Sequence, residues 1–412
     1  MKIAVINFFG TTPDVPGATK HYELSCFFQN KKNMQVEFWM NGVNYATDRP
    51  VSGINSKKIC CYKTENSGLL LVYFKGIRHR NKKVFRELGM LLFSLLTAGK
   101  LLFSKDIDAV ILSMPPVTNL VAVVAHIKKI VLIADVEDLW PLFLEESGIK
   151  NKAILKYYDI QAKSIYKNAD GIDAVSNGML SYVQGIIDCS KKHCWLAPLG
   201  VNLEVYDSIK IKADLSQYKW INDFKIMYIG AHGLANDISS VMKVASKFEN
   251  ITIDGKKVSF VFIGDGNYKH VLLKQLKEQN LNNFYFEDAI SSNLVPYYLS
   301  QADVCLTNLR RLECFKLVRP NKLFQYMAAK KPIICGIWGE AADIILEAKC
   351  GINVDFTNIE DAVNNINRFI HRNDLKELGM RGNLYIRKNG NRSLIYEEFY
   401  RRTIEIIKNK KG

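Results

Sequence analysis

The stretch FKIMYIGAHGLANDISSVMKVAS, residues 224–246, decides the fold. It opens with an apolar run of strand length. Gly230 and Gly233 then interrupt the chain, and apolar residues return at helical spacing from Ile238. VSFVFIGDGNYKHVLLKQLKEQN, residues 258–280, repeats strand, glycine loop and helix in the same order. A repeated β-loop-α unit predicts an α/β chain with a parallel, doubly wound sheet. Ligands of such sheets bind at the loops leaving the strand C-termini.

The same grammar extends in both directions. NFYFEDAI (283–290) reads as a strand and a turn, and VPYYLSQADVCLTNL (295–309) as a short helix and a strand. RPNKLFQYMAAKKPIICG (319–336) reads as a helix followed by a buried strand. Helices are predicted over 357–370 and 374–387, and a long one closes the chain. The N-terminal half opens β-loop-α-β, with strands at 2–8 and 34–42 around the helix HYELSCFF. AVILSMPP (109–116) is a buried strand ending in a proline turn. IVLIADVEDLWP (130–141) runs into an acidic turn, and GIDAVS (171–176) and HCWLAPLGV (193–201) complete that half. Two similar Rossmann-like units are therefore expected, joined near residues 203–223 and facing across a cleft. The expected division is 1–203 and 204–389.

Composition narrows the partners. The 412 residues include 56 Lys and Arg against 41 Asp and Glu, a net charge of +15. Such an excess speaks of nucleic acid, anionic lipid or phosphorylated small molecules, not of fold. No nucleic-acid-binding module is recognisable, and aromatic residues do not interleave with the basic run. Lys75, Arg78, Arg80, Lys82, Lys83 and Arg86 crowd just before the apolar segment 88–103. That pairing suits either an anionic membrane surface or a solvated cap on a core helix. Lys100 interrupts the segment, which is too short to span a membrane. The N-terminus lacks the pattern of a signal peptide. Nine cysteines without a CxxC spacing point to reduced thiols in a cytosol and away from structural zinc.

Candidate site residues follow from the loops. Gly230, Gly233, Gly264 and Gly266 permit close backbone approach to a phosphate. His232, Asn236 and Lys269 add donors. Neither loop is GxGxxG or GxxxxGK[ST], which argues against a typical dinucleotide fingerprint and a P-loop. Lys316, Arg319 and Lys322 place cations at or before a helix N-terminus, where the macrodipole disfavours them unless an anion is bound. Asn321 opens that helix, and Gln325 lies one turn deeper, within reach of sugar hydroxyls. In the first half, Asp135, Glu137 and Asp138 stand where a strand gives way to a turn and can orient a hydroxyl or act as a base. Gly10, Gly17 and His21 belong to a loop on the same side.

These segments resemble retaining, GT-B-fold family 4 glycosyltransferases, especially bacterial ones that build O-antigen or capsule sugars. DVEDLWP (135–141) resembles that family's RDLWP element, and PLGV (198–201) its PNGVD hinge. IGAHGLAND and FIGDGNYK are similar to its two donor-side loops, and RPNKLFQYMAAKKPII to its PNKLFEYMAAGKPVI segment. The family's E-x7-E acids are Leu317 and Gln325 here, its hinge Asn is Leu199, and a Gly is Lys330. The resemblance implies a nucleotide sugar, UDP-linked, held mostly by the second domain, with Ala289 and Ile290 beside it. It also implies a last helix, 390–412, packed back on the first domain. It implies catalysis without metal or other cofactor, with Lys316, Lys322 and Arg319 stabilising the leaving diphosphate and Asp138 orienting the acceptor. Gly10, Gly17, His21 and Glu137 would line the acceptor side. The expected acceptor is a polyprenyl-diphosphate-linked saccharide at the cytoplasmic face of the cell membrane, and the expected donor sugar, from the closer members of that family, is an N-acetylated amino or deoxyamino sugar. A non-catalytic GT-B partner subunit and a sugar-nucleotide 2-epimerase are the alternatives.

Overall fold

A computed structural model describes residues 1–55, 57–79, 83–115, 118–146, 148–188 and 192–411. Arg80 and Lys82 of the basic run, and Pro116 of the expected proline turn, lie outside the described residues. The chain forms two compact units, Met1–Pro198 with Ser393–Gly412, and Leu199–Arg392. The division falls at 198/199, where 203/204 was expected, and the closing segment joins the first unit.

The first unit runs β1 (Lys2–Asn7), α1 (Lys20–Gln29), β2 (Gln35–Asn41), then a hairpin of β3 (Val43–Asn44) and β4 (Arg49–Pro50). It continues with β5 (Cys60–Thr64), β6 (Leu70–Phe74), α2 (Lys83–Phe103), β7 (Ala109–Met114), α3 (Leu120–Ile127) and β8 (Val131–Val136). It ends with α4 (Leu142–Glu146), α5 (Lys152–Asn168), β9 (Gly171–Ala174), α6 (Asn177–Gln184) and β10 (His193–Leu196). Its sheet has the order β10-β9-β8-β7-β1-β2-β6-β5, parallel except for β5.

The second unit contains α7 (Glu204–Asp207), β11 (Phe224–Ile229), α8 (Ile238–Ala245), β12 (Thr252–Ile253), β13 (Lys256–Ile263), α9 (Lys269–Gln279) and β14 (Phe284–Glu287). Then come α10 (Val295–Ser300), β15 (Val304–Asn308), α11 (Asn321–Ala328), β16 (Ile333–Gly336), α12 (Glu340–Ala348) and β17 (Gly351–Asn353). Helices α13 (Ile359–Ile370) and α14 (Leu375–Asn389) follow, and α15 (Arg392–Lys411) lies almost wholly in the first unit. The parallel strands run β14-β13-β11-β15-β16-β17. In chain order that is 3-2-1-4-5-6, the order of a dinucleotide-type doubly wound sheet. Strands β6-β2-β1-β7-β8-β9 of the first unit repeat it.

Period-two alternation builds a two-faced core. In β11, Phe224, Ile226 and Tyr228 face one layer, with α8 and α13, while Met227 and Ile229 face the other, with α11 and α12. Helix α8 leaves β11 toward one face, and α11 leaves β15 toward the opposite one. The loops therefore part between β11 and β15, which opens a crevice at the strand C-termini.

Helix α15 completes the first unit's core. Tyr396, Phe399, Ile406 and Ile407 pack with Phe28, Phe38 and Trp195. Phe399 is buried, with ring centroids 5.4 Å from Trp195 and 6.2 Å from Phe28. Phe399→Ala should cost about 3–5 kcal/mol of first-unit stability in urea melts. A loss below about 1 kcal/mol would mean that α15 is not an integral part of this core.

Candidate functional site

In the second unit, Gly230 ends β11 and Gly264 ends β13. A Cβ on Gly230 would lie 2.2 Å from Lys322 Cε, so the glycine lets the lysine cross the loop. A Cβ on Gly264 would lie 1.9 Å from the Gly230 carbonyl oxygen and 3.2 Å from His232 Nε2. Gly266 is pressed against the His232 backbone in the same way. The two glycine loops, His232 and Lys322 thus meet at one point above the sheet, at the first turn of α11. No side chain caps that helix.

Lys322 is the unusual member. Its ammonium lies 5.0 Å from the centre of the Tyr228 ring. Among the described residues it has no carboxylate or carbonyl partner. Burial lowers its pKa from the ordinary 10.5 to about 8, and no neighbouring acid opposes this. His232 is fully buried, and neither ring nitrogen has a hydrogen-bond partner among the described residues. Burial, with Lys269 and Lys322 nearby, pushes its pKa down to about 3, so the ring is neutral. Unpaired buried polar atoms cost roughly 1–3 kcal/mol each. A cation and a ring N–H without acceptors, beside glycine loops and a helix N-terminus, are an arrangement that can receive an anion.

The other expected cations have acidic partners of their own. Lys269 Nζ donates to Gly264 O and Glu287 O, each at 2.9 Å, and to Asp288 at 3.0 Å. It ties the second glycine loop to the end of β14. Lys316 pairs with Glu313 at 2.8 Å and covers the Trp338 ring at 4.1 Å. Arg319 Nε donates to Glu340 at 2.5 Å. Asn236 is buried and closes its loop, its Oδ1 accepting from Gly233 N at 3.4 Å. Ala289 and Ile290 are half-buried in the loop after β14. Gln325 is half-buried on α11, one turn beyond Lys322. Asn321 Oδ1 accepts from Arg392, whose guanidinium also donates to Leu199 O and Gly200 O. Sequence reading missed Arg392, because nothing local marks a residue that contacts positions nearly 200 earlier.

The first unit treats its buried charges differently. Lys20 Nζ donates to both Asp135 oxygens, at 2.8 and 2.6 Å, and lies 3.4 Å from Glu137. Phe9 N donates to Asn7 Oδ1 at 2.7 Å, which orients the amide so that Asn7 Nδ2 donates to His21 Nδ1 at 2.8 Å. His21 therefore carries its proton on Nε2 and donates it to Asp135 at 2.8 Å. Burial alone would raise the Asp135 pKa; Lys20 and His21 outweigh it and hold the carboxylate well below its usual range. Asp173, opposite Asp135 in the register of β8 and β9, is driven the other way by burial and the Asp135 charge and stays protonated.

His21 is thus an internal brace, a correction to its expected place on the acceptor side. His21, Asp135 and Glu137 offer ligand atoms within 4.8 Å of one another, but a cation entering there would compete with the Lys20 ammonium. Glu137 is half-buried and accepts from Ser113 Oγ at 3.2 Å. Asp138 accepts from Leu139 N at 2.9 Å, and burial pushes its pKa up to about 6. Gly10 lies against the Phe38 ring and bridges to Ala18, while Gly17 packs on Thr11. Both glycines shape the loop that leads into α1. Lys20 and Asp173 were missed, although an acid inside an apolar strand is a readable signal for a buried partner.

Residues 214–383 match the family model described as glycosyl transferases group 1. No curated protein matches the chain in sequence. Sucrose-phosphate synthase from Thermosynechococcus elongatus is similar with a TM-score of 0.72 at 14% identity, covering 98% of this chain and 99% of that one. HepE from Anabaena, in complex with UDP, is similar at 0.66 and 12%, covering 98% and 100%. Trehalose 6-phosphate synthase from Burkholderia multivorans is similar at 0.66 and 10%, covering 99% and 98%. The chain has the GT-B fold, two Rossmann-like units, each with its own doubly wound sheet.

Two stability tests follow. Lys322 has a folded pKa below its unfolded one, so its charge destabilises the unliganded fold below pH 8 and ceases to matter above about pH 10.5. Lys322→Met should stabilise the unliganded protein at pH 7 by on the order of 1–3 kcal/mol in thermal melts, and a lower Tm would contradict this. Asp135→Asn, which strands Lys20, should cost about 3–5 kcal/mol. Asp173→Asn should be nearly neutral, because the native carboxyl already carries a proton; equal losses from both would refute the assignment.

Proposed function

We propose that the protein is a glycosyltransferase that moves a sugar from a nucleoside diphosphate, UDP, to an acceptor hydroxyl. The observation that carries this reading is the unpartnered Lys322 ammonium set between two glycine loops beside His232. The match of residues 214–383 to a glycosyltransferase family supports it, as does the UDP bound in a structure of similar fold.

In this reading the second unit holds the diphosphate. Lys322, the His232 ring N–H and the loop and helix N–H groups receive it, with Ala289 and Ile290 beside the base and Gln325 near the ribose. The bond between the anomeric carbon and the β-phosphate oxygen breaks as the acceptor oxygen bonds to that carbon. Negative charge grows on the leaving diphosphate, and a preorganised cation facing it is worth about 2.7–4 kcal/mol of barrier. The acceptor proton passes to the leaving phosphate on the same face, which gives retention of configuration without a metal. Lys316 and Arg319 must exchange Glu313 and Glu340 for the ligand if they take part. Asp138, half-buried with a raised pKa, orients the acceptor hydroxyl. The acceptor is a saccharide on a polyprenyl diphosphate at a membrane surface, as in the assembly of surface polysaccharides.

Gln325, where related enzymes carry an acid, favours a second reading, a subunit that binds a nucleotide without catalysing transfer. Thermal melts with UDP and with UDP-sugars test the donor site, since a ligand that binds only the native state raises Tm. UDP should raise Tm of the wild type and not of Lys322→Ala. Release of UDP with formation of a glycoside, lost in Asp138→Asn, separates the transferase from the subunit. No shift with any nucleoside diphosphate would end both readings.

A further inference from the structure

Helix α2 is apolar on two opposite sides. Met90, Phe93, Thr97 and Leu101 are buried against the first unit. Val84, Leu88, Leu91, Leu95 and Leu102 are exposed, at 67, 45, 37, 52 and 47%. Their spacing of four, three, four and seven puts them within about 60° of the helix circumference. Arg86, Glu87 and Lys100 lie off that arc. A helix that is apolar all round is normally buried. Here one whole side, about 30 Å long at 1.5 Å per residue, has no cover from the described residues of the first unit.

The bare side continues onto neighbouring helices. Helix α3 packs on α2 and exposes Val123 and Ile127. Helix α5 packs on α3 and exposes Ile154, Tyr157 and Ile160. Beside that strip, Lys152, Lys156, Lys163 and Lys167 line up at spacings of four, seven and four along α5. Glu87 accepts from Arg86 and Tyr158, and Asp159 pairs with Lys163, which leaves Lys152, Lys156 and Lys167 of the row without an ion pair among the described residues. Single exposed apolar residues are ordinary, but contiguous strips over three helices mark an interaction face.

We infer that the α2–α3–α5 face seats the first unit on an anionic lipid surface. It lies in the interface plane, with its apolar strips in the acyl boundary and the lysine row on the headgroups. Among the described residues no helix is long and apolar enough to cross a membrane, which leaves lying on it. A lipid surface fits the charge better than a second copy of this chain does. A twofold interface would bring two copies of the lysine row into one buried contact and add like charge, whereas an anionic surface neutralises it. The inference gives the proposed lipid-linked acceptor a place to be met, but its test needs neither donor nor acceptor.

The test is sedimentation with vesicles of phosphatidylcholine alone and of phosphatidylcholine with phosphatidylglycerol. The wild type should bind the anionic vesicles, bind the neutral ones far less, and lose binding at high salt. Leu88→Glu with Leu95→Glu should abolish binding. Lys152→Glu with Lys156→Glu should weaken it at least about tenfold. Unchanged melting curves for both variants, and an unchanged response to UDP, keep the result apart from misfolding and from failure of the donor site. Absence of wild-type binding, equal binding by the leucine variant, or a solution dimer that this variant dissociates would overturn the inference.

Discussion

A lysine ammonium placed at the start of α11 without a counter-charge is the constraint on which the second unit's site turns. Lys322 crosses the end of β11, so Gly230 has room for no side chain. Gly264 must then leave space for the Gly230 carbonyl, and His232 fills the hollow beneath, too dry and too close to cations to carry a charge. Lys269 could have neutralised nothing here; its ammonium is spent fastening the second loop to β14. The unpaired groups cost stability, which the apolar layers on both faces of the sheet offset. Sites kept polar and unsatisfied in an otherwise well-packed fold are where function is to be sought.

The first unit has the same strand order and solves the opposite problem. Its buried cation, Lys20, is saturated by Asp135 and approached by Glu137, and His21 and Asn7 lock the same carboxylate. That network is a brace at the C-terminal ends of β1 and β8. It leaves Asp138, one turn further on, as the group whose protonation is open near neutral pH. One topology thus carries an ion-paired cation at one unit's strand ends and an unpaired one at the other's.

Much of this was legible in the sequence. Two runs of strand, glycine loop and helix are enough to call a doubly wound sheet, because the period changes from two to 3.6 at a glycine in both. Lys322 and the glycine loops were legible as a phosphate site for the same local reason. The partners of charge were not. Lys316 with Glu313, Arg319 with Glu340 and His21 with Asp135 are settled by rotamers and by contacts that spacing does not encode. Arg392, which joins the chain near Leu199 to the start of α11, is invisible for the same reason. The bare side of α2 was half legible: the segment reads as apolar throughout, but which side the fold covers depends on α3 and the sheet.

Calorimetry of UDP binding at pH 8, in buffers of different ionisation enthalpy, tests the central claim most directly. At that pH the nucleotide is already fully ionised, while Lys322, with a pKa of about 8, is only partly protonated. A diphosphate seated on it must raise that pKa, so binding should take up a substantial fraction of a proton in the wild type and none in Lys322→Met. Binding without proton uptake, or the same uptake in both proteins, would place the diphosphate elsewhere and contradict the account.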